Sequence, residues 1–165
     1  MLRLAGIELD SIVDGPGIRV VIFCQGCLRH CEGCHNPATW DMDGGVEMSV
    51  DEVLKMIKSN PLCKGVTYSG GEPFLQAVEL CELTRKLPEY EIAVYSGFKF
   101  EELLDGTPEQ RELLSLIDVL IDGPYEISKR TLELSFRGSG NQRILNVRES
   151  LKAGKAVLET SERWV

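Results

Sequence analysis

The sequence has no long apolar run and little positive charge. Its hydrophobic stretches fall well short of the roughly 20 residues that a membrane-spanning helix needs. The N-terminal segment MLRLAGIELDSIVDGPG lacks the apolar core and cleavage pattern of a secretory signal. Lys and Arg number 18 against 26 Asp and Glu, a net charge of −8, which disfavours nucleic acid as a partner because phosphates attract basic surfaces. We therefore expect a cytoplasmic protein that binds neither membranes nor nucleic acid.

The sequence also lacks repeats, low-complexity segments and linkers. A chain of 165 residues that is 43% hydrophobic suits one domain, which we expect to span residues 1–165. A chain of this size buries most of its unfolded surface, so it needs no disulfide framework.

Cysteine is nevertheless plentiful, with six residues. Four of them cluster in the segment 24–34, whereas Cys63 and Cys81 stand alone. In the cytoplasm, clustered cysteines indicate metal or redox chemistry more than structural disulfides. Cys81 falls in the apolar pattern of a predicted helix, where a buried thiol behaves as a small hydrophobic group.

Strand patterns alternate with helical ones along most of the chain. Apolar, β-branched runs predict strands at 18–23, 65–69, 91–95 and 117–121, with weaker candidates at 132–136 and 143–147. Helical spacing predicts helices from Ser49, over 76–87, over 100–116 with a break near Gly106, and weakly from Glu149. This alternation predicts an α/β fold with a mostly parallel sheet and crossover helices. A closed eight-unit barrel needs about 250 residues, so we expect a partial (β/α) barrel.

Unusual residues follow each of the four main predicted strands. They are the cysteine loop, Gly70-Gly71-Glu72-Pro73, Ser96-Gly97 and Asp122-Gly123-Pro124. The carboxyl ends of parallel strands meet at one rim, where α/β folds build their sites. The sequence therefore predicts one site at this rim.

The number of thiols in that site has two interpretations. With Cys24, the spacing C-x2-C-x3-C-x2-C offers four thiolates, as a structural zinc site or a simple electron-transfer cluster needs. Without it, Cys27, Cys31 and Cys34 would leave one iron of a cubane cluster open to a substrate or cofactor. Cys24 continues the strand VIFC, which favours a buried strand cysteine.

Several motifs carry a family resemblance. Cys27-x3-Cys31-x2-Cys34 resembles the cluster motif of the radical S-adenosylmethionine enzymes, and Gly70-Gly71-Glu72 resembles their methionine-binding motif. DGPGIR, GCLRHCEGCHNPATWD, YSGGEP and FRGSGNQR resemble the activating enzymes of glycyl-radical proteins. The short chain and RGSGNQR are most similar to the activating proteins of anaerobic ribonucleoside-triphosphate reductases.

The resemblance implies a partial barrel of the radical S-adenosylmethionine type and a specific chemistry. Cys27, Cys31 and Cys34 would hold three irons of a [4Fe-4S] cluster, and the methionyl amine and carboxylate of S-adenosylmethionine would bind the fourth. One electron would cleave the sulfonium to methionine and a 5′-deoxyadenosyl radical, which would take a hydrogen atom from a glycine of the reductase. No acid–base side chain is expected to be catalytic, because the cofactors carry the chemistry. A flavodoxin or ferredoxin is the expected electron donor, and pyruvate formate-lyase is an alternative partner.

The resemblance also implies a set of residues that contact S-adenosylmethionine. Gly33 stands where much of the superfamily has an aromatic residue that touches adenine, so its backbone is expected to line the adenine. The full set expected to bind the cofactor is Gly33, Cys34, His35, Asn36, Gly70, Gly71, Glu72, Ser96 and Asp122. The segment 137–143 is expected to contact the cofactor or the partner.

Overall fold

The computed structural model describes residues 1–34 and 37–164 and contains one mixed β-sheet. The described residues form seven strands in the spatial order β3-β1-β2-β4-β5-β6-β7. In chain order the strands are β1 Leu2–Ser11, β2 Arg19–Cys24, β3 Val46–Met48, β4 Gly65–Gly70, β5 Glu91–Tyr95, β6 Val119–Asp122 and β7 Arg143–Asn146.

The four central strands are parallel and the outer three are antiparallel. β2, β4, β5 and β6 pair in parallel, and their register aligns Ile22, Tyr68, Val94 and Leu120 in one buried row. β1 pairs antiparallel with β2 and β3, and β7 pairs antiparallel with β6. The α/β class is thus confirmed and the parallel centre is as predicted, but the sheet as a whole is mixed.

The described part of the chain contains five α-helices, and their termini match the local sequence signals. They are α1 Val50–Lys58, α2 Ala77–Arg85, α3 Phe100–Leu104, α4 Pro108–Leu116 and α5 Val147–Ala153. The Ser49 hydroxyl accepts the Glu52 amide at 3.1 Å at the start of α1, and Thr107 forms a reciprocal capping box with Gln110 at the start of α4. The predicted helix break near Gly106 is therefore confirmed.

The two faces of the sheet are covered differently. Ile22, Val66 and Val94 share one core cluster with helical residues such as Ile57 and Leu80. Because side chains alternate along a strand, the intervening residues point to the opposite face. We call that opposite face the site face; it carries Thr67, Ala93 and Ile121.

The lower part of the site face is filled by a buried cation and the C-terminal segment. The Arg19 side chain is 2% exposed, and it donates to the Thr67 hydroxyl and the Glu91 carboxylate, both at 2.9 Å. The Trp164 ring packs over this guanidinium at 5.4 Å and edge-on against Phe136 at 5.3 Å. These contacts leave the carboxyl ends of the parallel strands as the open part of the face.

Two sequence predictions about strands differ from the structure. Residues 132–136 form bends and a turn instead of a strand. Their alternation is misleading because Leu132 is 86% exposed and no strand of the described chain pairs with it. β1 and β3 were not predicted; β1 is half exposed, and its register is broken near Gly6, which obscures the alternating pattern.

No helix within residues 1–34 and 37–164 is long and apolar enough to cross a membrane.

Candidate functional site

A cavity of about 130 Å³ lies at the carboxyl ends of the parallel strands. Four loops line it, and each follows one of the four parallel strands, as the sequence predicts. The lining residues of these loops include Cys27, Arg29, Cys31, Cys34, Gly70, Gly71, Glu72, Ser96, Gly97 and Gly123. The topology therefore brings the predicted motifs together at one rim.

The cysteine loop presents its three thiols to this cavity. Cys27, Cys31 and Cys34 are partly exposed thiols, not disulfides. The loop is held from behind, because the Gly26 amide donates to the Thr39 carbonyl at 2.6 Å and the Cys27 amide donates to the Trp40 carbonyl at 3.2 Å. Burial raises the pKa of the Cys31 thiol, and the neighbouring thiols of Cys27 and Cys34 raise it further. The three sulfur atoms are thus close enough to interact electrostatically.

These thiols suit an iron–sulfur cluster better than a single metal ion. No three His, Cys, Asp or Glu side chains of the described residues converge on one point where a single ion would touch them all. In a cubane cluster each thiolate binds a different iron, so the sulfur atoms do not need to meet around one atom. Three soft sulfur donors on one loop beside a cavity fit such a cluster.

Cys24 is separated from the other three thiols. Its side chain is 0% exposed and belongs to the helix-facing core with Tyr68 and Leu80, and it does not line the cavity. Burial raises the pKa of its thiol strongly, with a smaller contribution from Glu72. The interpretation of Cys24 as a buried strand cysteine is therefore confirmed.

The glycine pair brings its loop directly against the cysteine loop. Gly70 has a φ of 94°, a conformation that favours glycine. A Cβ atom on Gly71 would overlap the carbonyl oxygen of Gly26. The Gly71 amide donates to the Cys24 carbonyl and the Glu72 amide donates to the Gly26 carbonyl, both at 2.8 Å. The close approach of the two loops explains why glycine is needed here.

Glu72 connects the loop after β4 to the loop after β5. Its carboxylate is buried and accepts the Gly97 amide at 2.7 Å and the Phe74 amide at 3.1 Å. The Ser96 hydroxyl lies 3.0 and 2.9 Å from its two oxygens. Burial raises the pKa of Glu72, while these hydrogen bonds and the nearby Arg29 guanidinium act in the opposite direction. The hydrogen bonds of Glu72 to Ser96 and Gly97 thus hold the two loops together at the rim.

Comparison with known proteins agrees with this geometry. The 4Fe-4S single cluster domain family matches residues 13–145. The chain is 38% identical over 142 residues to the anaerobic ribonucleoside-triphosphate reductase-activating protein of Enterobacteria phage T4, covering 81% of this chain and 87% of the relative. The chain belongs to this family of activating proteins.

Two further relatives help to define the family's range. The Haemophilus influenzae anaerobic ribonucleoside-triphosphate reductase-activating protein is 32% identical over 149 residues, covering 81% of this chain and 91% of the relative. The pyruvate formate-lyase-activating enzyme of Clostridium pasteurianum is 42% identical over 118 residues, covering 65% of this chain but only 50% of the relative. The similarity to the two reductase-activating proteins therefore extends over nearly their whole length, unlike that to the pyruvate formate-lyase-activating enzyme.

Some residues expected to contact a cofactor have other partners in the structure. The Asp122 carboxylate does not line the cavity; it accepts the Phe100 amide at 2.8 Å and two nitrogens of Arg143 at 3.0 and 2.5 Å. Gly33 is exposed, and a Cβ atom there would contact Ile127. His35 and Asn36 lie outside the described residues. Cofactor contact by these four residues stays a prediction.

The cavity also contains side chains that sequence reasoning missed. These are Arg29, Trp40, Tyr95 and Tyr125, whereas Gln142, which also lines it, belongs to the segment 137–143 that was expected to contact the cofactor or the partner. The ring of His30 stacks on Trp40 at 4.6 Å, beside the cysteines. Nothing in the spacing of Arg29 or Trp40 indicates a role, although both lie in the motif segment 26–41. Tyr95 is the last residue of β5, a position where the predicted strand end could have signalled it.

Proposed function

We propose that this chain cleaves S-adenosylmethionine reductively at a [4Fe-4S] cluster. The 5′-deoxyadenosyl radical then generates a glycyl radical on the anaerobic ribonucleoside-triphosphate reductase. One observation carries the proposal: Cys27, Cys31 and Cys34 line one cavity together with Gly71, while Cys24 lies in the core on the other side of the sheet. Three protein ligands on a cubane leave one iron for a cofactor.

The protein's own residues position the reactants. When bound, the cluster would supply one electron for reductive cleavage of S-adenosylmethionine to methionine, and the adenosyl part would end as 5′-deoxyadenosine after taking one hydrogen atom from a glycine Cα of the partner. Gly70 and Gly71 keep the loop after β4 close to the cysteine loop, and buried Glu72 fixes that loop to β5. The protein thus supplies binding, orientation and exclusion of water.

We propose that the substrate reaches the cofactor along the site face. A second cavity of about 320 Å³ shares Cys34, Gly70 and Tyr95 with the first and extends over the site face to Asp14 and Gly138. We assign the adenosyl end and the glycine-bearing segment of the partner to this space. We propose that the chain is a single domain with a partial barrel of the radical S-adenosylmethionine type.

The extent of the match favours the reductase over pyruvate formate-lyase as the partner. The chain spans 87% and 91% of two reductase-activating relatives, but half of the pyruvate formate-lyase-activating enzyme. A flavodoxin or a ferredoxin would serve as the electron donor. We propose a cytoplasmic location and no binding to nucleic acid or to a membrane. Activation of pyruvate formate-lyase is the second candidate, because that relative has the higher identity over the segment that matches, at 42%.

The proposal is tested by anaerobic reconstitution with iron and sulfide. After reduction with dithionite, electron paramagnetic resonance spectra are recorded with and without S-adenosylmethionine, and 5′-deoxyadenosine is quantified. We expect a [4Fe-4S]⁺ signal that changes on addition of the cofactor, together with 5′-deoxyadenosine. A cluster whose signal ignores the cofactor, with no 5′-deoxyadenosine formed, would refute the proposal and favour an electron-transfer role.

A further inference from the structure

Arg29 is the one basic side chain among the described residues that line the site cavity. The other lining groups include three cysteine thiols and the buried carboxylate of Glu72. Iron cancels part of the negative charge of bound thiolates, so with Glu72 the protein contributes mainly anionic groups to the loaded cavity. A single guanidinium in the wall of this cavity can bind an anionic group of a ligand through charge-assisted hydrogen bonds.

The Arg29 side chain is fixed across the end of β5. Its guanidinium carbon lies 4.7 Å from the centre of the Phe98 ring. A Cβ atom on Gly97 would overlap the Arg29 Cδ atom and lie 2.6 Å from its Nε. Glycine at position 97 therefore leaves the space that Arg29 occupies. This packing places the side chain within the cavity wall.

Part of the hydrogen-bonding capacity of Arg29 is unused among the residues that the structure describes. Its Nε–H is buried and has no acceptor among the residues that the structure describes. Its ion pair with the half-exposed carboxylate of Glu102 is long, with 3.8 Å between Nη2 and the nearest carboxylate oxygen. A buried donor without an acceptor is costly and rare in folded proteins, and it commonly marks a functional site. A ligand acceptor would satisfy it.

Glu72 and Arg29 lie on either side of Gly97 as a pair of opposite charges. Gly97 donates its amide to Glu72 and faces Arg29 with its α-carbon. Burial raises the pKa of Glu72 and the Arg29 guanidinium acts in the opposite direction, so the two groups interact electrostatically. Such a pair matches the amino and carboxylate groups of an α-amino acid, with the amino group near the Glu72 carboxylate as a hydrogen-bond donor and the carboxylate near the guanidinium. A phosphate would meet repulsion from Glu72 and the thiolates, so it is disfavoured.

We propose that Arg29 binds the α-carboxylate at the methionyl end of S-adenosylmethionine. This inference rests on the proposed function and adds a residue that fixes the orientation of the ligand. Arg29 has no role in bond cleavage; it is a binding residue that selects for the carboxylate.

The test compares two ligands and two proteins in the oxidised, cluster-loaded state, where no cleavage occurs. Equilibrium dialysis measures the Kd of S-adenosylmethionine and of decarboxylated S-adenosylmethionine for the wild type and for Arg29→Gln. We expect Arg29→Gln to raise the Kd of S-adenosylmethionine roughly ten- to hundredfold, the usual effect of losing a charge-assisted hydrogen bond. The Kd of the decarboxylated ligand should change less than about threefold.

Two further variants make the result interpretable. Arg148→Gln removes an arginine whose side chain is 79% exposed, on α5, and should leave both Kd values unchanged. Arg29→Lys keeps the charge but not the Nε–H; it should bind S-adenosylmethionine with an intermediate Kd. If Arg29→Gln does not bind iron, Arg29→Lys carries the comparison of the two ligands.

The outcomes separate this inference from the proposed function. If Arg29→Gln binds S-adenosylmethionine as the wild type does, or loses both ligands by the same factor, the carboxylate assignment is wrong. In that case a wild type that still forms 5′-deoxyadenosine leaves the proposed function intact. If the wild-type protein neither binds nor cleaves S-adenosylmethionine, the proposed function fails and the role of Arg29 fails with it.

Discussion

The Ser96 hydroxyl lies 3.0 and 2.9 Å from the two carboxylate oxygens of Glu72, in a part of the molecule where both side chains are buried. This contact joins residues from two different loops, 24 positions apart in the chain. It links the loop after β4 to the loop after β5 and places the carboxylate beside the cavity. The consequences for stability and for iron binding can be measured separately.

The buried carboxylate of Glu72 predicts a specific pH dependence of stability. Burial raises its pKa above the ordinary value of 4.5, so the folded protein holds the proton more tightly than the unfolded chain does. The contribution of Glu72 to stability is therefore greatest below that ordinary pKa and is lost as the pH rises through the higher, folded value. Glu72→Gln cannot titrate, so the difference in unfolding free energy should shift in favour of the variant as the pH rises.

Urea unfolding of the cluster-free protein between about pH 5 and about pH 8 measures this shift. The exposed Glu89→Gln serves as the control and should show no such shift relative to the wild type. A difference between wild type and Glu72→Gln that stays constant with pH, or moves the other way, would show that the hydrogen bonds outweigh the burial of Glu72.

The separation of Cys24 from the other thiols predicts different effects of two alanine substitutions. Cys31→Ala removes a ligand and should abolish most of the bound iron, whereas Cys24→Ala should keep the iron and the cofactor-dependent signal. Cys24→Ala removes a core atom and should cost roughly 0.5–3 kcal/mol in unfolding free energy. Iron and sulfide per chain after reconstitution, together with a thermal melt, measure both effects. Equal loss of iron in the two variants would restore the four-cysteine alternative.

The close contact between Gly71 and the cysteine loop predicts that a single methyl group disrupts the site. In Gly71→Ala the new Cβ would overlap the Gly26 carbonyl oxygen, so the two loops must separate. We expect a loss of about 1–3 kcal/mol in stability and incomplete loading with iron. Gly6→Ala is the matched control, because a Cβ at Gly6 would meet no atom within 4 Å. Full iron loading by Gly71→Ala would show that the loop approach is not required.

Arg143 binds two carboxylates, one buried and one exposed, and they should differ in energetic weight. Asp122→Asn removes the charge that accepts two hydrogen bonds from Arg143 and should cost roughly 1.5–3 kcal/mol. Glu101→Gln removes the exposed partner, whose side chain is 56% exposed, and should cost less than about 1 kcal/mol. Chemical denaturation of both variants makes the comparison. If the two cost the same, burial of Asp122 does not strengthen the pair.

Local sequence patterns predicted the strands with continuous apolar runs and the helices with clear capping residues. The apolar runs that become β2, β4 and β5, and the capped helices α1 and α4, were predicted within a few residues. Because parallel strands end at one rim, their order alone placed the cysteine, glycine and Ser96 loops in the same site. β1 is half exposed and its register with β2 is interrupted, so its pattern is too irregular to be recognised.

Long-range side-chain partners could not be predicted from the sequence. The pairing of Asp122 with Arg143 spans 21 positions and depends on β7 folding back beside β6. The position of Arg29 over Gly97 depends on how two loops pack, and no periodic pattern encodes it. Leu132 and Leu134 gave a false strand because their alternation has no neighbouring strand to pair with.

The central claim is that this chain generates a glycyl radical on the anaerobic reductase. The most direct measurement mixes the reduced, reconstituted protein with S-adenosylmethionine and the reductase, and records the electron paramagnetic resonance spectrum; pyruvate formate-lyase serves as the parallel partner. We predict a glycyl radical on the reductase, equivalent 5′-deoxyadenosine, and neither product with Cys31→Ala. A radical that forms on pyruvate formate-lyase alone, or cleavage of S-adenosylmethionine with no radical on the reductase, would contradict the account.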